Sequence, residues 1–358
     1  MDGIIDFAYA IPVIGFVFQF VGYIIAVLPD IAPILLRAAV PIAFAALCGV
    51  LCERSGVVNI GIEGTMLTAA FVGWSSGVFL LPVIGTATGL PFGATPVLLV
   101  SLALALGAGL LVSLLHAWLS ISVKADQIIS GTIINIAALG ITGYLNTLLA
   151  RSSPVGAGAF ARIDTPDFVR DIPLIGWVFE AIFAQGPIAI SLIVVVIAFQ
   201  VLLFRSRWGL RTRAVGEHPR AAETVGVNVI RMRYRNVLVA GLLAGLGGAF
   251  LSMEATASFQ PGMTAGRGFI GLAAMIVGRW TPLGAFGAAL LFASSLGIGQ
   301  SIKIVPPTGE LGVFLGTLPG QFFDALPYVV TIVVLAGLIG RSIPPAADGQ
   351  PYEREAAS

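Results

Sequence analysis

The sequence predicts an all-α polytopic membrane protein with about ten transmembrane segments, several of them broken or re-entrant. Three observations lead there. The 358-residue chain is 57% hydrophobic and only 10% charged, with a mean hydropathy of +0.98, so a soluble fold would lack the polar surface to cover itself. Apolar runs recur along the whole chain, and a helix needs roughly 20 such residues to cross the hydrocarbon core. The stretch 205–235 holds eight of the 19 Lys+Arg residues, at 205, 207, 211, 213, 220, 231, 233 and 235, opposed only by Glu217 and Glu223. A short arginine-rich loop between spans stays in the cytoplasm. Counting spans outward from it places the N- and C-termini there as well.

The first runs, 11–28 and 31–51, are separated by Pro29 and Asp30 and predict a hairpin that stops at Glu53 and Arg54. With no basic n-region before it, the first run reads as a retained span and not a cleaved signal. Cys48 and Cys52, four apart on one helical face, read as buried thiols. The stretch SGVVNIGIEGTML then predicts irregular backbone ahead of a helix over 71–83. A Gly- and Pro-rich outer loop over 85–96 leads to a span at 97–119, which turns around Lys124 and Asp126 into the next, 128–149.

Residues 151–186 form the one substantial hydrophilic connection, an outer loop of mixed charge. Within it IPLIGWVFEAIFA predicts an interfacial amphipathic helix with Trp177 at headgroup level. A span at 188–204 returns to the arginine loop. Beyond the loop lie 237–252, a short segment at 268–277, 283–299 and 328–339. The expected organisation is one membrane domain, 1–341, with a cytoplasmic loop at 205–235 and a polar cytoplasmic tail at 342–358. Small residues four apart, Ala105 and Gly109, Gly241 and Gly245, Gly284 and Ala288, predict close helix packing. The 44 glycines and 21 prolines predict broken spans, which are tolerated where the freed backbone is buried or lines a cavity.

Inside the arginine loop GEHPRAAETVGV predicts a short helix. Pro219 suits the first helical position, 220–225 continue it, and Gly226 supplies the left-handed stop. It reads either as a linker on the membrane surface or as a docking knob for a cytoplasmic motor. Asn59 and Glu63 are candidates for a transport path, because an ionisable group within a membrane segment is costly. Equally, Glu63 could pair with Arg54 or cap a broken helix. Gln127, Ser130 and Asn135 cluster on the next span and could serve a passing polar solute or act as interhelical glue. Gln260, Met263, Thr264 and Arg267 fall on the outer side of the short segment.

Four stretches, ERSGVVNIGIEG at 53–64, VKADQIISGTIINIAALG at 123–140, GLRTRAVGEHPRAAETVGV at 209–227 and GRGFIGLAAMIVGRWTPLGA at 266–285, resemble the permease subunits of ABC importers. The likeness is to the nucleoside and simple-sugar branch, relatives of the ribose and branched-chain amino acid permeases, and it runs from about 31 to 341. The resemblance implies that Gly216, Glu217, His218, Pro219, Arg220, Ala221, Ala222 and Glu223 form the coupling segment that sits on an ATP-binding subunit. His218 stands where the family pattern has Asn. The translocation path would draw on Asn59, Glu63, Gln127, Ser130, Asn135, Gln260 and Thr264.

The implied setting is the cytoplasmic (inner) membrane of a bacterium. The partners would be an ATP-binding cassette ATPase, a second and distinct permease subunit, an extracytoplasmic substrate-binding protein and the bilayer. The chain has no GxxxxGK[ST] phosphate loop, so ATP and Mg would belong to the partner, with no cofactor, metal or catalytic residue here. Nucleic acid is not an expected partner, since the net charge is +1 and the basic residues are confined to one loop. An ion-coupled secondary transporter is the alternative, but it would ordinarily show paired acids near mid-membrane. For an intramembrane enzyme, His116 and His218 lack suitable neighbours.

Overall fold

The structure, a computed structural model, describes residues 12–84, 96–150, 158–170, 172, 176–304, 306–333 and 342–353. Among these the only regular elements are helices. They are α1 (Pro12–Glu53), α2 (Ile62–Ile84), α3 (Pro96–Ala117), α4 (Gln127–Ala150), α5 (Asp167–Arg170), α6 (Gly176–Phe183) and α7 (Pro187–Arg205). Then follow α8 (Arg207–Glu217), α9 (Pro219–Thr224), α10 (Val229–Phe250), α11 (Arg267–Val277), α12 (Pro282–Ile304), α13 (Gly309–Gly316) and α14 (Gly320–Val333). Wider π-helical turns extend α3 over Trp118–Ser122 and α10 over Leu251–Ala255.

Among the described residues six helices are long and apolar enough to cross a membrane. The expected hairpin at the start is instead one continuous helix of 42 residues, α1. Pro29 removes a backbone N–H but does not end the helix, whose apolar residues continue on both sides, and membrane helices tolerate proline where neighbouring groups satisfy the freed carbonyl. Helix α2 begins at Ile62, well before the expected 71, and α10 begins at Val229, ahead of the expected 237. Within the stretch expected to hold an amphipathic helix, 172–184, lies α6. Three helices, α5, α8 and α13, have no counterpart in the sequence expectations. The glycine-rich outer stretch lies mostly outside the described residues.

The chain divides into two units. One comprises residues 1–38, 164–185 and 291–338, the other 39–163, 186–290 and 339–358. In the first, the Gln185 side chain donates to the carbonyls of Pro33 and Ala181, both at 3.0 Å. Arg170 lies 3.5 Å from Glu180.

The second unit is built on α2, α3 and α10, and its packing explains the small residues. A Cβ on Gly109 would lie 3.0 Å from the Gly245 Cα, and one on Gly245 would lie 3.3 Å from the Leu106 Cα. The Ala105/Gly109 and Gly241/Gly245 stripes thus face each other, and α3 and α10 meet backbone to backbone, where close contact replaces a hydrophobic driving force. Gly284 does not join such a crossing; it packs on the carbonyl of Gly278 in its own preceding turn.

Candidate functional site

The loop between α7 and α10 is folded and not a flexible linker. Ser206 caps α8 by accepting from the Gly209 N–H at 3.1 Å, and Asn228 caps α10 by accepting from Arg231 N–H at 2.8 Å, as N-cap residues do. Between them α9 has Pro219 at its first turn. Gly226 stops it at φ +83, with the Val227 N–H returning to the Ala222 carbonyl at 3.0 Å. That glycine is required, because a side chain resists the left-handed region. Helix α9 is too short to hold itself. Ala222 anchors it in a small core with Val215, Val229, Met232 and Tyr352.

Gly216 lies against the Arg54 carbonyl, so the end of α8 rests on the turn that follows α1. Asn236 donates to Thr212 at 3.2 Å, joining α10 to α8 in the interior. The remaining exposed coupling residues, Glu217, His218, Arg220 and Ala221, form one continuous surface. Two arginines of the loop stack on rings, Arg213 at 5.1 Å from the Phe204 ring centre and Arg235 at 5.8 Å from that of Trp208, and Arg54 from the turn after α1 lies 5.9 Å from Phe204. Such contacts hold the cations against the protein.

The polar segment 342–353 is not a loose tail but packs beneath this loop. The Ala347 N–H donates to the Gly216 carbonyl at 2.8 Å, and the Ala346 N–H to Glu217 Oε2 at 3.1 Å. The Tyr352 hydroxyl donates to Glu223, Arg233 Nη1 donates to the Gln350 carbonyl at 2.8 Å, and Lys124 pairs with Glu353 at 2.8 Å. Arg233 is 1% exposed. Its guanidinium faces Gly56, where a Cβ would lie 2.7 Å from Nη2, and its charge is felt at Asp348. Burial pushes the Asp348 carboxyl up to about 6, while Glu53, the Gly349 N–H and Arg233 pull the other way. Glu53 also accepts from Trp280 Nε1 at 2.6 Å, and Arg54 Nε donates to the Trp280 carbonyl at 2.9 Å.

A second cluster surrounds the unwound segment between α1 and α2. Gln127 Oε1 accepts from the Val58 N–H at 2.7 Å. Asn135 Oδ1 accepts from the Gly64 N–H at 2.7 Å, and its Nδ2 donates to the Ile60 carbonyl at 3.0 Å. His116 Nε2 lies 2.9 Å from the Val58 carbonyl, which can only accept, so Nδ1, 3.1 Å from Ser130, accepts from that hydroxyl. Side chains of α3 and α4 therefore supply the hydrogen bonds that the unwound backbone cannot make to itself, as a low-dielectric setting requires. Gly131 makes this possible, since a Cβ there would lie 2.6 Å from the Gly61 nitrogen. Asn59 is 1% exposed and reaches the Cys52 sulfur at 3.8 Å; both cysteines are buried and free.

Glu63 caps the short helix α11, accepting from the Gly266 N–H at 2.7 Å and the Gly268 N–H at 2.6 Å. Glu254 treats α7 in the same way, accepting from Ile188 and Ala189 at 2.8 and 3.2 Å. Two carboxylates at broken places thus each neutralise a helix N-terminus, where backbone N–H groups and the dipole favour an anion. Thr264, 1% exposed, lies in the turn entering α11, and Gln260 stands exposed before it. Replacing Glu63 with Ala, which leaves two N–H groups without acceptors, is expected to lower stability by about 2–5 kcal/mol. Glu63→Gln should cost clearly less. Thermal unfolding in detergent checks the order; loss of uptake in Glu63→Gln without loss of stability would instead give the charge a transport role.

The sequence reading did not single out Arg233, Trp280, Asp348 or Tyr352. A signal for Arg233 was present: it lies four residues from both Val229 and Val237 and three from Asn236, all buried, so it shares the inward helical face. Arg279 and Trp280 adopt φ of 54 and 51, a conformation costly for side-chain-bearing residues, and no residue type at those positions announces it.

Comparison with known proteins accords with this arrangement. A family model described as the permease component of branched-chain amino acid transport systems matches residues 31–335. The chain is 39% identical to the guanosine ABC transporter permease protein NupQ of Bacillus subtilis, over 92% of this chain and 98% of that one. It is 38% identical to the nucleoside ABC transporter permease protein NupC of Lactococcus lactis, over 87% and 93%. A second Bacillus subtilis protein, the guanosine ABC transporter permease protein NupP, is 28% identical over 84% and 78%. No solved structure matches the chain. The chain belongs to the family of permease components typified by branched-chain amino acid transport systems.

Proposed function

We propose that this protein is a membrane-spanning permease subunit of an ATP-driven importer of nucleosides or related simple sugars, with α9 as its coupling helix. The observation that carries the reading is the form of α9: a separate six-residue helix, seated on a local core and presenting Arg220 and Ala221 outward, in a loop flanked by spanning helices. Its relatives NupQ and NupC are named for guanosine and nucleoside transport, which supports the substrate class. NupQ and NupP come from one bacterium and carry the same transport name, which supports a second, distinct permease subunit as partner.

In this reading the spanning helices cross the cytoplasmic membrane of a bacterium, the arginine loop 205–235 and the C-terminal segment face the cytoplasm, and 151–186 meets an extracytoplasmic binding protein. ATP and Mg act on the ATPase subunit, whose closure moves α9 and, through α8 and α10, alternates access to a path near residues 59–64, 127–135 and 260–264. An ion-coupled mechanism finds less support, because Glu63 and Glu254 are both engaged as helix caps. Replacing Pro219–Ala222 by a Gly/Ser stretch should abolish uptake by the assembled transporter and reduce co-purification of the ATPase. Intact uptake and binding would overturn the assignment, as would ion-driven uptake by this chain alone in liposomes.

A further inference from the structure

We propose that the C-terminal segment 345–353 is the second half of the surface on which the ATP-hydrolysing subunit docks; the inference rests on the reading of α9 as the coupling helix. A hollow of about 650 Å3 opens between the two. One side is formed by Pro219, Arg220 and Ala221, the other by Ala346, Pro351 and Glu353, and all except the half-buried Pro219 are exposed.

The segment is fixed in this place by contacts along its length. Ala346 and Ala347 hydrogen-bond to Glu217 and Gly216. Gln350 receives the buried Arg233, and Tyr352 packs in the core that seats Ala222 while its hydroxyl reaches Glu223 on α9 itself. Farther back, the Ser342 hydroxyl donates to the Ile276 carbonyl at the end of α11 at 2.9 Å. The coupling helix and the C-terminal segment therefore form one rigid ledge, and a shift of one carries the other.

Size points the same way. Helix α9 is only about 9 Å long, whereas a stable interface takes about 800 Å2 from each partner. A body that reaches the outward face of α9 meets Pro351 and Glu353 across the hollow. The rim carries both signs, Glu217 and Glu353 beside Arg220. It suits a folded protein surface with paired charges better than a single anion or a lipid headgroup.

Cysteine protection tests the proposal in the full transporter. The native Cys48 and Cys52 are 0% exposed and stay silent toward a membrane-impermeant maleimide. Ala221→Cys and Pro351→Cys are made separately, each checked for uptake, and labelled from the cytoplasmic side with and without the ATPase subunit. The expected result is a labelling rate lowered at least about tenfold at both positions when the ATPase is bound, as burial in an interface core requires. A Phe168→Cys control, 77% exposed on the outer loop and labelled from the outer side, should not change.

Protection at 221 alone would overturn the role of the C-terminal segment and leave the coupling helix standing. Protection at neither would overturn both, and protection at 351 alone would overturn the shared surface together with the coupling assignment. Glu353→Lys gives a second measure, because Glu353 is exposed and its substitution should barely change the melting temperature. Weaker ATPase co-purification is expected; unchanged co-purification would count against the proposal.

Discussion

Arg233→Ala is expected to free the C-terminal segment and to lower stability by about 1–3 kcal/mol, the range for leaving a buried polar group without its partner. The guanidinium is buried, holds the Gln350 carbonyl at 2.8 Å and supplies the positive charge beside Asp348. Truncation leaves that carbonyl without its donor and the carboxylate without its countercharge, and it opens a cavity under Gly56. Limited proteolysis should then cleave within 342–353 under conditions that spare the native protein, and thermal unfolding in detergent should move down. Adding Asp348→Asn should recover part of the loss, since it removes the uncompensated charge, and the double-mutant cycle reads that coupling directly. Independent, additive effects would mean that the two groups do not compensate each other.

The second large effect is expected at Gly248, where α10 crosses α2. A Cβ there would overlap the Met66 carbonyl and lie 2.9 Å from its carbon and 3.0 Å from the Ala70 nitrogen. All three are backbone atoms that no rotamer change can move. Gly248→Ala should cost about 1–3 kcal/mol, the usual penalty for overpacking, and Gly248→Leu should prevent accumulation of folded protein. Gly140→Ala supplies the contrast, because nothing lies within 4 Å of a Cβ built there. It should be neutral or slightly stabilising, in line with the ~1 kcal/mol by which alanine exceeds glycine in helices. Expression and melting temperature of the three variants in detergent decide the matter. A Gly248→Ala protein as stable as Gly140→Ala would refute the close crossing.

The local chemistry of the coupling loop was readable residue by residue. Proline at the first helical position and glycine at the stop are constraints on single backbone angles, so GEHPRAAETVGV places its helix to within a residue of Pro219–Thr224. Small residues four apart likewise mark where helices touch, and two of the three stripes do meet. Proline misled at Pro29, where a strong local signal for a break was outweighed by apolar sequence on either side. The extra helix α8 was hidden among arginines, whose charge dominates the pattern although their helix propensity is good.

For the polar side chains, the sequence limited the possibilities and tertiary structure chose among them. Glu63 could pair, cap or serve a path, and only the approach of Gly266 and Gly268, some two hundred positions away, makes it a cap. Gln127 and Asn135 are similarly committed by the unwound backbone brought against them.

The sequence by itself determined the membrane setting, the helical class, the arginine-rich loop and the short helix within it, because these follow from transfer free energies and backbone angles that depend on neighbours in the chain. Only the tertiary structure decided that Arg233 is buried and that residues 342–353 pack against α8 and α9. Those outcomes depend on contacts between segments more than a hundred residues apart, and composition reads the same segment simply as a polar tail.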